Sequence, residues 1–281
     1  MSRRAAYLLL LPGLLWLGVL FAAPLVQLAS VSLQSGYPGF PGYYYRDVNV
    51  GNYLVALTGF GGQLGRSFLY AGLATLLCLV LAFPLAWTMA FRAGRWRGVL
   101  MVLVVAPFFT PFILRTVAWR QILADDAPVA STLRALHLLP GGHLTETPFA
   151  VVMGLTYTFL PFMLLPVLAS LERVDRSVLA AGADLYAGPW QTFRLVTVPL
   201  AMPGIVAGTL LTFIPAAGDY VNADLLGSDR GTSMVGNAID AQFFRVIGGY
   251  PVAAALSFTL MLAILVLVLL YLRRYGTREL V

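Results

Sequence analysis

The sequence predicts an all-α, polytopic membrane protein with six transmembrane helices, and three observations carry that prediction. Hydrophobic residues make up 59% of the 281-residue chain, charged residues only 11%, and mean hydropathy is +0.83, a balance that suits a bilayer solvent. The apolar residues gather into six stretches, at 7–30, 67–91, 99–117, 149–171, 201–213 with its continuation, and 253–272. Each approaches the roughly 20 helical residues needed to cross a hydrocarbon core about 30 Å thick. The runs are continuous rather than alternating, which argues against a closed β-barrel. The whole chain, 1–281, reads as a single transmembrane domain.

The first stretch follows Arg3 and Arg4 and ends near Ala22 and Ala23, as a secretory signal would, but its apolar run is longer than a signal's, so it reads as a retained span. Segment 36–65, rich in glycine, tyrosine and proline, reads as an outer loop. The second span holds the sole cysteine, Cys78, which has no intrachain partner and reads as a packing residue. In the third, fourth and fifth spans, Pro107, Pro111, Pro161, Pro166 and Pro215 predict bends. His137 and His143, in the outer loop between the third and fourth spans, lack the carboxylate or thiol spacing of a metal site.

All 18 cationic residues are arginine. Arg3, Arg4, Arg92, Arg95, Arg97, Arg173, Arg176, Arg194, Arg273, Arg274 and Arg278 fall on the side of the termini, and the short loop 92–97 marks that side most clearly. The positive-inside rule therefore puts both termini in the cytoplasm. The net charge of +6 follows from this topology and implies no nucleic-acid partner. The chain lacks a glycine-rich nucleotide loop and any lysine to serve one, and no nucleophile and base are paired, so it reads as no enzyme. Uphill movement of a solute would need another chain to supply the chemical energy.

Between the fourth and fifth spans lies the polar segment 172–199. Asp175 is placed to cap a helix with Val178, Leu179, Gly182 and Leu185 on one side and Arg176, Ala180 and Asp184 nearer the other. Gly188 is expected in the left-handed conformation that ends this helix, and Pro189 at the start of a second short one. Trp190, Phe193 and Leu195 supply apolar anchors on that second helix, which closes at Pro199. Such a pair fits a partner protein, and an interfacial helix lying on lipid remains open on the same periodicity.

The residues of this segment resemble the cytoplasmic motif of bacterial ABC importer permeases, in particular the spermidine/putrescine type. Ala180, Ala181 and Gly182 stand at the start of the motif, Asp184 and Leu185 follow, Tyr186 takes the usual glycine position, and Val198 and Pro199 close it. Two hallmark positions depart from the pattern: the acid is Ala180 and the glycine is Tyr186. Other stretches resemble the same family in the same order. These are Phe112 to Trp119 with Arg115 and Thr116, Leu160 to Glu172, Phe213 to Val221, and Met234 to Asn237.

The resemblance implies a type I importer permease of the bacterial inner membrane. Its partners would be a second permease with which it forms a heterodimer, two ABC ATPase subunits that hold ATP and Mg²⁺, and an extracytoplasmic solute-binding protein. This chain would bind no cofactor itself. It further implies that the 172–199 segment, with Asp175, Gly188, Pro189 and Phe193, docks on the ATPase. Polyamines lead as cargo, with opines, phosphonate compounds and ferric iron as alternatives.

For the path, intramembrane charges are the first candidates. Asp219 and Asp224 are placed to meet a cationic solute, with Arg115 pairing with one of them; a structural salt bridge accounts for the same residues. Trp119, Tyr157 and Tyr220 offer cation–π faces, and interfacial anchoring accounts for them as well. An ion-coupled secondary carrier would call for inverted repeats and a midplane ion site, neither of which is visible in the sequence. A membrane scaffold would leave the amphipathic segment unexplained.

Overall fold

The computed structural model describes residues 3–36, 42–135, 143–175, 177–178, 188–228 and 231–275. The chain divides into two compact units, Met1–Gly62 with Ala238–Ala263, and Gln63–Asn237 with Ile264–Val281.

In the first unit, α1 (Arg3–Leu17) passes through a five-residue π turn, Gly18–Ala22, into α2 (Ala23–Ser32). Pro24 explains the wide turn. A proline has no N–H and its ring clashes with the carbonyl four residues back, and the π turn, in which Ala23 N–H reaches Gly18 O, opens the ladder there. Strands β1 (Ser35–Gly36) and β2 (Tyr44–Tyr45) pair antiparallel, Ser35 opposite Tyr45. Helix α3 (Gly51–Phe91) then begins 16 residues before the second apolar stretch. This corrects the reading of 36–65 as a loop: from residue 51 on it is helix. Five glycines between 51 and 65 weaken helix propensity by about 1 kcal/mol each within the helix but leave every backbone N–H in place, and no proline intervenes before Pro84. The start of α3 is tied down where Asn52 Nδ2 donates to the Ser32 and Gln34 carbonyls at 2.9 and 3.0 Å.

In the second unit, the third span is broken. Helix α4 (Arg97–Val105), preceded by the 3₁₀ turn Gly94–Trp96 and followed by another at Ala106–Phe109, meets α5 (Phe112–Ile122) at 102°. The bend expected in the 99–117 span is thus sharp enough to make two arms of it. The cause is Pro111, which disfavours helical geometry at the residue before it: Thr110 is extended, at φ −87° and ψ 136°. A short α6 (Pro128–Ala135) precedes the long α7 (Pro148–Leu171). Thr147 caps α7, its Oγ1 accepting from Ala150 N–H at 3.2 Å, with proline at the first helical position.

The fifth span also departs from expectation. Helix α8 (Pro189–Thr192), a π turn at Phe193–Thr197 and α9 (Val198–Ala217) form one run, so Pro199 closes nothing. The π turn again precedes a proline, with Val198 N–H on Phe193 O, and lets the helix continue. Short α10 (Val221–Leu226), α11 (Val235–Phe244) and α12 (Tyr250–Tyr275) complete the order. Among the described residues, five helical runs are long and apolar enough to cross a membrane, and a sixth if the bent pair counts as one span.

Helices α7 and α9 form the central contact. A Cβ at Gly204 would run into the Pro166 carbonyl, and one at Gly208 would lie 2.8 Å from Met163 Sδ. The Gly-x-x-x-Gly spacing therefore presents two side-chain-free positions to α7, the device by which membrane helices approach closely. Two buried clusters flank this contact. One gathers Tyr70, Ala74, Val151, Leu155, Ala217 and Leu226, and the other Cys78, Ala82, Met163, Val167 and Ala201. Cys78 is fully buried there, its thiol against the Thr156 carbonyl at 3.3 Å.

Candidate functional site

Helices α5, α7 and α10 converge on a polar cluster. Spacing on α5 sets Arg115, Thr116 and Trp119 within about one helical turn. Trp119 meets Tyr157 of α7 edge to face, centroids 5.3 Å apart. Gly154 lies one turn earlier on α7, where a Cβ would strike Leu226 and come within 2.8 Å of Asn222 Oδ1, so glycine is what lets α10 close on α7.

Asn222 is 1% exposed and held on both sides. Asp219 Oδ1 accepts its backbone N–H at 2.8 Å and Asp219 Oδ2 its side-chain N–H at 3.2 Å, while Thr116 Oγ1 lies 3.5 Å from Asn222 Oδ1. Asp219 follows the α9 span rather than lying within it. Burial pushes its carboxyl up to about 6, against the downward pull of the two Asn222 hydrogen bonds. Tyr220 is half exposed, and its carbonyl accepts from Asn237 Nδ2 at 3.0 Å, while Asn237 Oδ1 takes the Met234 N–H at the start of α11. Gly236 permits this approach, since a Cβ there would lie 2.7 Å from the Gly218 carbonyl.

Arg115 does not pair with Asp219 or Asp224. Its guanidinium lies over the rings of Phe108 and Phe112, at 4.9 and 5.8 Å, and its Nε has no hydrogen-bond partner. The bend at Pro111 accounts for this: it brings the end of one arm, Phe108, against the first turn of the other. Asp224 is exposed on α10. Among the described residues no group of His, Cys, Asp and Glu is arranged to hold a metal.

On the segment 172–199, Ala180, Ala181, Gly182, Asp184 and Tyr186 lie outside the described residues. Asp175 Oδ1 accepts the Ser177 N–H at 2.9 Å, and that bond holds the carboxyl below the ordinary carboxylate value. Gly188 is not left-handed. It sits at φ −63° and ψ 160°, the extended geometry that a following proline favours, and Gln191 Oε1 accepts its N–H at 3.0 Å. Pro189 does open a helix, at its first position. Phe193 packs edge to face on Phe83 at 5.4 Å and stacks with Trp190 at 5.3 Å. Trp190 and Leu195 are each 70% exposed.

The sequence reading missed Gly154 and Asn222, and it named Thr116 only within the family-like stretch, with no role. Asn222 had a signal, an aspartate three residues before an amide directly after a helix end, which is the spacing of a capping interaction. Gly154 had none, because its role depends on α10 lying across it.

The family model described as binding-protein-dependent transport system inner membrane component matches residues 82–278. The chain belongs to this family. As a member it is a permease subunit of an ABC importer, and its place is the inner membrane. The matched span takes in the bent pair, the α7–α9 contact and the Asp219–Asn222 cluster. Among relatives, the spermidine/putrescine transport system permease protein PotB of Salmonella typhimurium (strain SL1344) is 38% identical over 202 residues, 72% of this chain and 70% of that protein. The inner membrane ABC transporter permease protein YdcU of Escherichia coli (strain K12) is 33% identical over 296 residues, 96% of this chain and 89% of that protein. The fold matches a chain in the crystal structure of a bacterial ABC transporter that imports the acidic polysaccharide alginate, with a TM-score of 0.72 at 14% identity, covering 98% of this chain and 96% of that one. The inward-facing MetNI methionine transporter gives 0.54 at 18% identity, covering 77% and 93%.

Proposed function

We propose that this permease pairs with a second, different permease to form the path for a polyamine, spermidine or putrescine, delivered by an extracytoplasmic binding protein and driven by two ATPase subunits that hold ATP and Mg²⁺. The observation that carries the polyamine reading is the identity of 35–38% to permeases named for spermidine and putrescine over nearly three quarters of the chain. Further support comes from a buried carboxylate, Asp219, and from the Trp119–Tyr157 pair, groups that suit an ammonium. This chain binds no cofactor and catalyses no reaction. The bent pair counts as one of six spans, and both termini are cytoplasmic, a placement that the arginine distribution supports.

The 172–199 segment is the ATPase-docking element. Exposed Trp190 and Leu195 supply apolar anchors of the kind that dominate docking surfaces, and Phe193 fixes the element to Phe83 of α3. Because α8 runs without a break into α9, a push at Trp190 is delivered along a rigid helix to the close contact at Gly204 and Gly208. ATP-driven closure then biases the pair of permeases between inward-facing and outward-facing states.

The test is uptake of labelled spermidine and putrescine in cells stripped of other polyamine importers and carrying the complete transporter. Saturable uptake that a tenfold excess of the other polyamine suppresses is the expected result. Uptake no greater than in cells without the transporter would overturn the cargo. Trp190→Asp, a surface change that leaves the core alone, should cut uptake more than about tenfold with the protein still inserted, since an apolar anchor contributes about 2 kcal/mol or more. Phe193→Asp should do the same through loss of the Phe83 contact.

A further inference from the structure

We infer that the ion pair between Arg97 and Glu172 links the ATPase-docking segment to the broken third span, making both positioning residues for transport; the inference rests on the reading of 172–199 just given. Arg97 Nη2 lies 2.5 Å from Glu172 Oε1, a direct contact in which donor and acceptor are both charged. Glu172 is the residue that terminates α7 and opens the polar segment, and Arg97 is the first residue of α4.

Both charges sit at the wrong end of their helices. A helix carries partial positive charge at its N-terminus and partial negative charge at its C-terminus, so an arginine that starts α4 and a glutamate that ends α7 are each opposed by their own helix. Local helix electrostatics would favour the reverse arrangement. The two charges offset one another instead, across the gap between the helices, which is what a cross-link between elements requires and a capping role does not. The neighbouring arginines are engaged elsewhere, Arg92 over Trp87 at 4.8 Å and Arg95 over Trp96 at 5.9 Å, so Arg97 is the one committed to α7.

The link joins the two functional regions. The chain runs from Glu172 directly into the docking segment, and from Arg97 through α4 to the Pro111 bend and to α5 with Thr116 and Trp119. The side chains of Arg97 and Glu172 are 49% and 31% exposed, so the pair can open and reclose without leaving a charge stranded in an apolar interior. A link of this kind can be made in one transport state and released in another.

The test uses the complete transporter in proteoliposomes, with its ATPase, second permease and binding protein, and reads solute imported per ATP hydrolysed. Arg97→Glu and Glu172→Arg should each lower that ratio by up to about fivefold, the range open to an exposed pair. The double variant Arg97→Glu with Glu172→Arg should restore the ratio. It should also unfold at a higher temperature than the natural protein, because each charge then matches its helix end. A pair with only a structural role would move the unfolding temperature and leave the ratio unchanged. Single variants with the natural ratio, or a double variant as poor as the singles, would overturn the inference. Trp190→Asp in the same vesicles separates the two failures: a low ratio there with normal single variants removes the link alone, and a normal ratio there removes the docking assignment and the link with it.

Discussion

At the residue scale, Asp219 carries the sharpest pH prediction. With its carboxyl at about 6 in the folded protein and near 3.8 when unfolded, the folded state holds a proton that the unfolded state releases between those values. Stability is therefore highest at low pH and falls as pH rises toward 6, by up to about 3 kcal/mol at neutrality. Asp219→Asn should flatten the dependence of unfolding temperature on pH between 5 and 7.5, and a dependence as steep as in the natural protein would show that another group is responsible. If the carboxylate meets the cation, polyamine uptake should fall as pH drops through 6, and Asp219→Asn should be low at every pH. Unchanged uptake kinetics in that variant would assign Asp219 to holding Asn222 alone. Gly188 carries the opposite expectation. Its φ of −63° is open to any residue and the nearest group to an added Cβ is Gln191 Oε1 at 4.0 Å, so Gly188→Ala should keep uptake within about twofold of normal. A loss like that of Trp190→Asp would mean that the docked partner fills the space.

At the scale of elements, the α7–α9 contact is the one that tolerates least. Gly204→Leu or Gly208→Leu would force the helices apart where Pro166 and Met163 lie, and overpacking of this kind costs about 1–3 kcal/mol or more. The exposed Ala207 sits between them, and Ala207→Leu should be near neutral in the unfolding temperature of purified protein. Equal effects from all three substitutions would contradict the asymmetric contact. The two π turns make a related point. Pro199 reads locally as a stop and Pro24 lies within the first apolar stretch, yet each stands just beyond a widened turn that carries the helix on. A proline's local effect depends on whether the preceding turn is free to widen, and the sequence around it does not state that.

At the scale of the whole molecule, topology and assembly are the testable quantities. With Cys78→Ser as background, single cysteines placed at Ser2 and Thr277 should react with a membrane-impermeant thiol reagent only after the cytoplasmic side is opened. Labelling of either in intact cells would overturn the six-span arrangement. Purification in mild detergent should recover a second permease and two ATPase subunits, and recovery of this chain alone, under conditions that preserve other such complexes, would overturn the proposed assembly.

Sequence by itself determined the membrane class, the approximate positions of the spans, the helix start at Pro189, and the family, because hydropathy over about 20 residues and local helix-start signals are written in contiguous residues. Trp119, Tyr157 and Asp219 were also legible as candidates, since charge and aromatic character within or beside a span stand out against an apolar background. Only the tertiary structure decided that residues 51–65 are helical, that the third span bends by 102°, that Arg115 rests on Phe108 and Phe112, and that Arg97 meets Glu172 across more than seventy residues of chain. Each of these depends on which elements lie beside one another. A side chain's partner, a glycine's close neighbour and a helix's permission to continue are properties of packing, and packing is set by contacts between residues that the linear order keeps far apart.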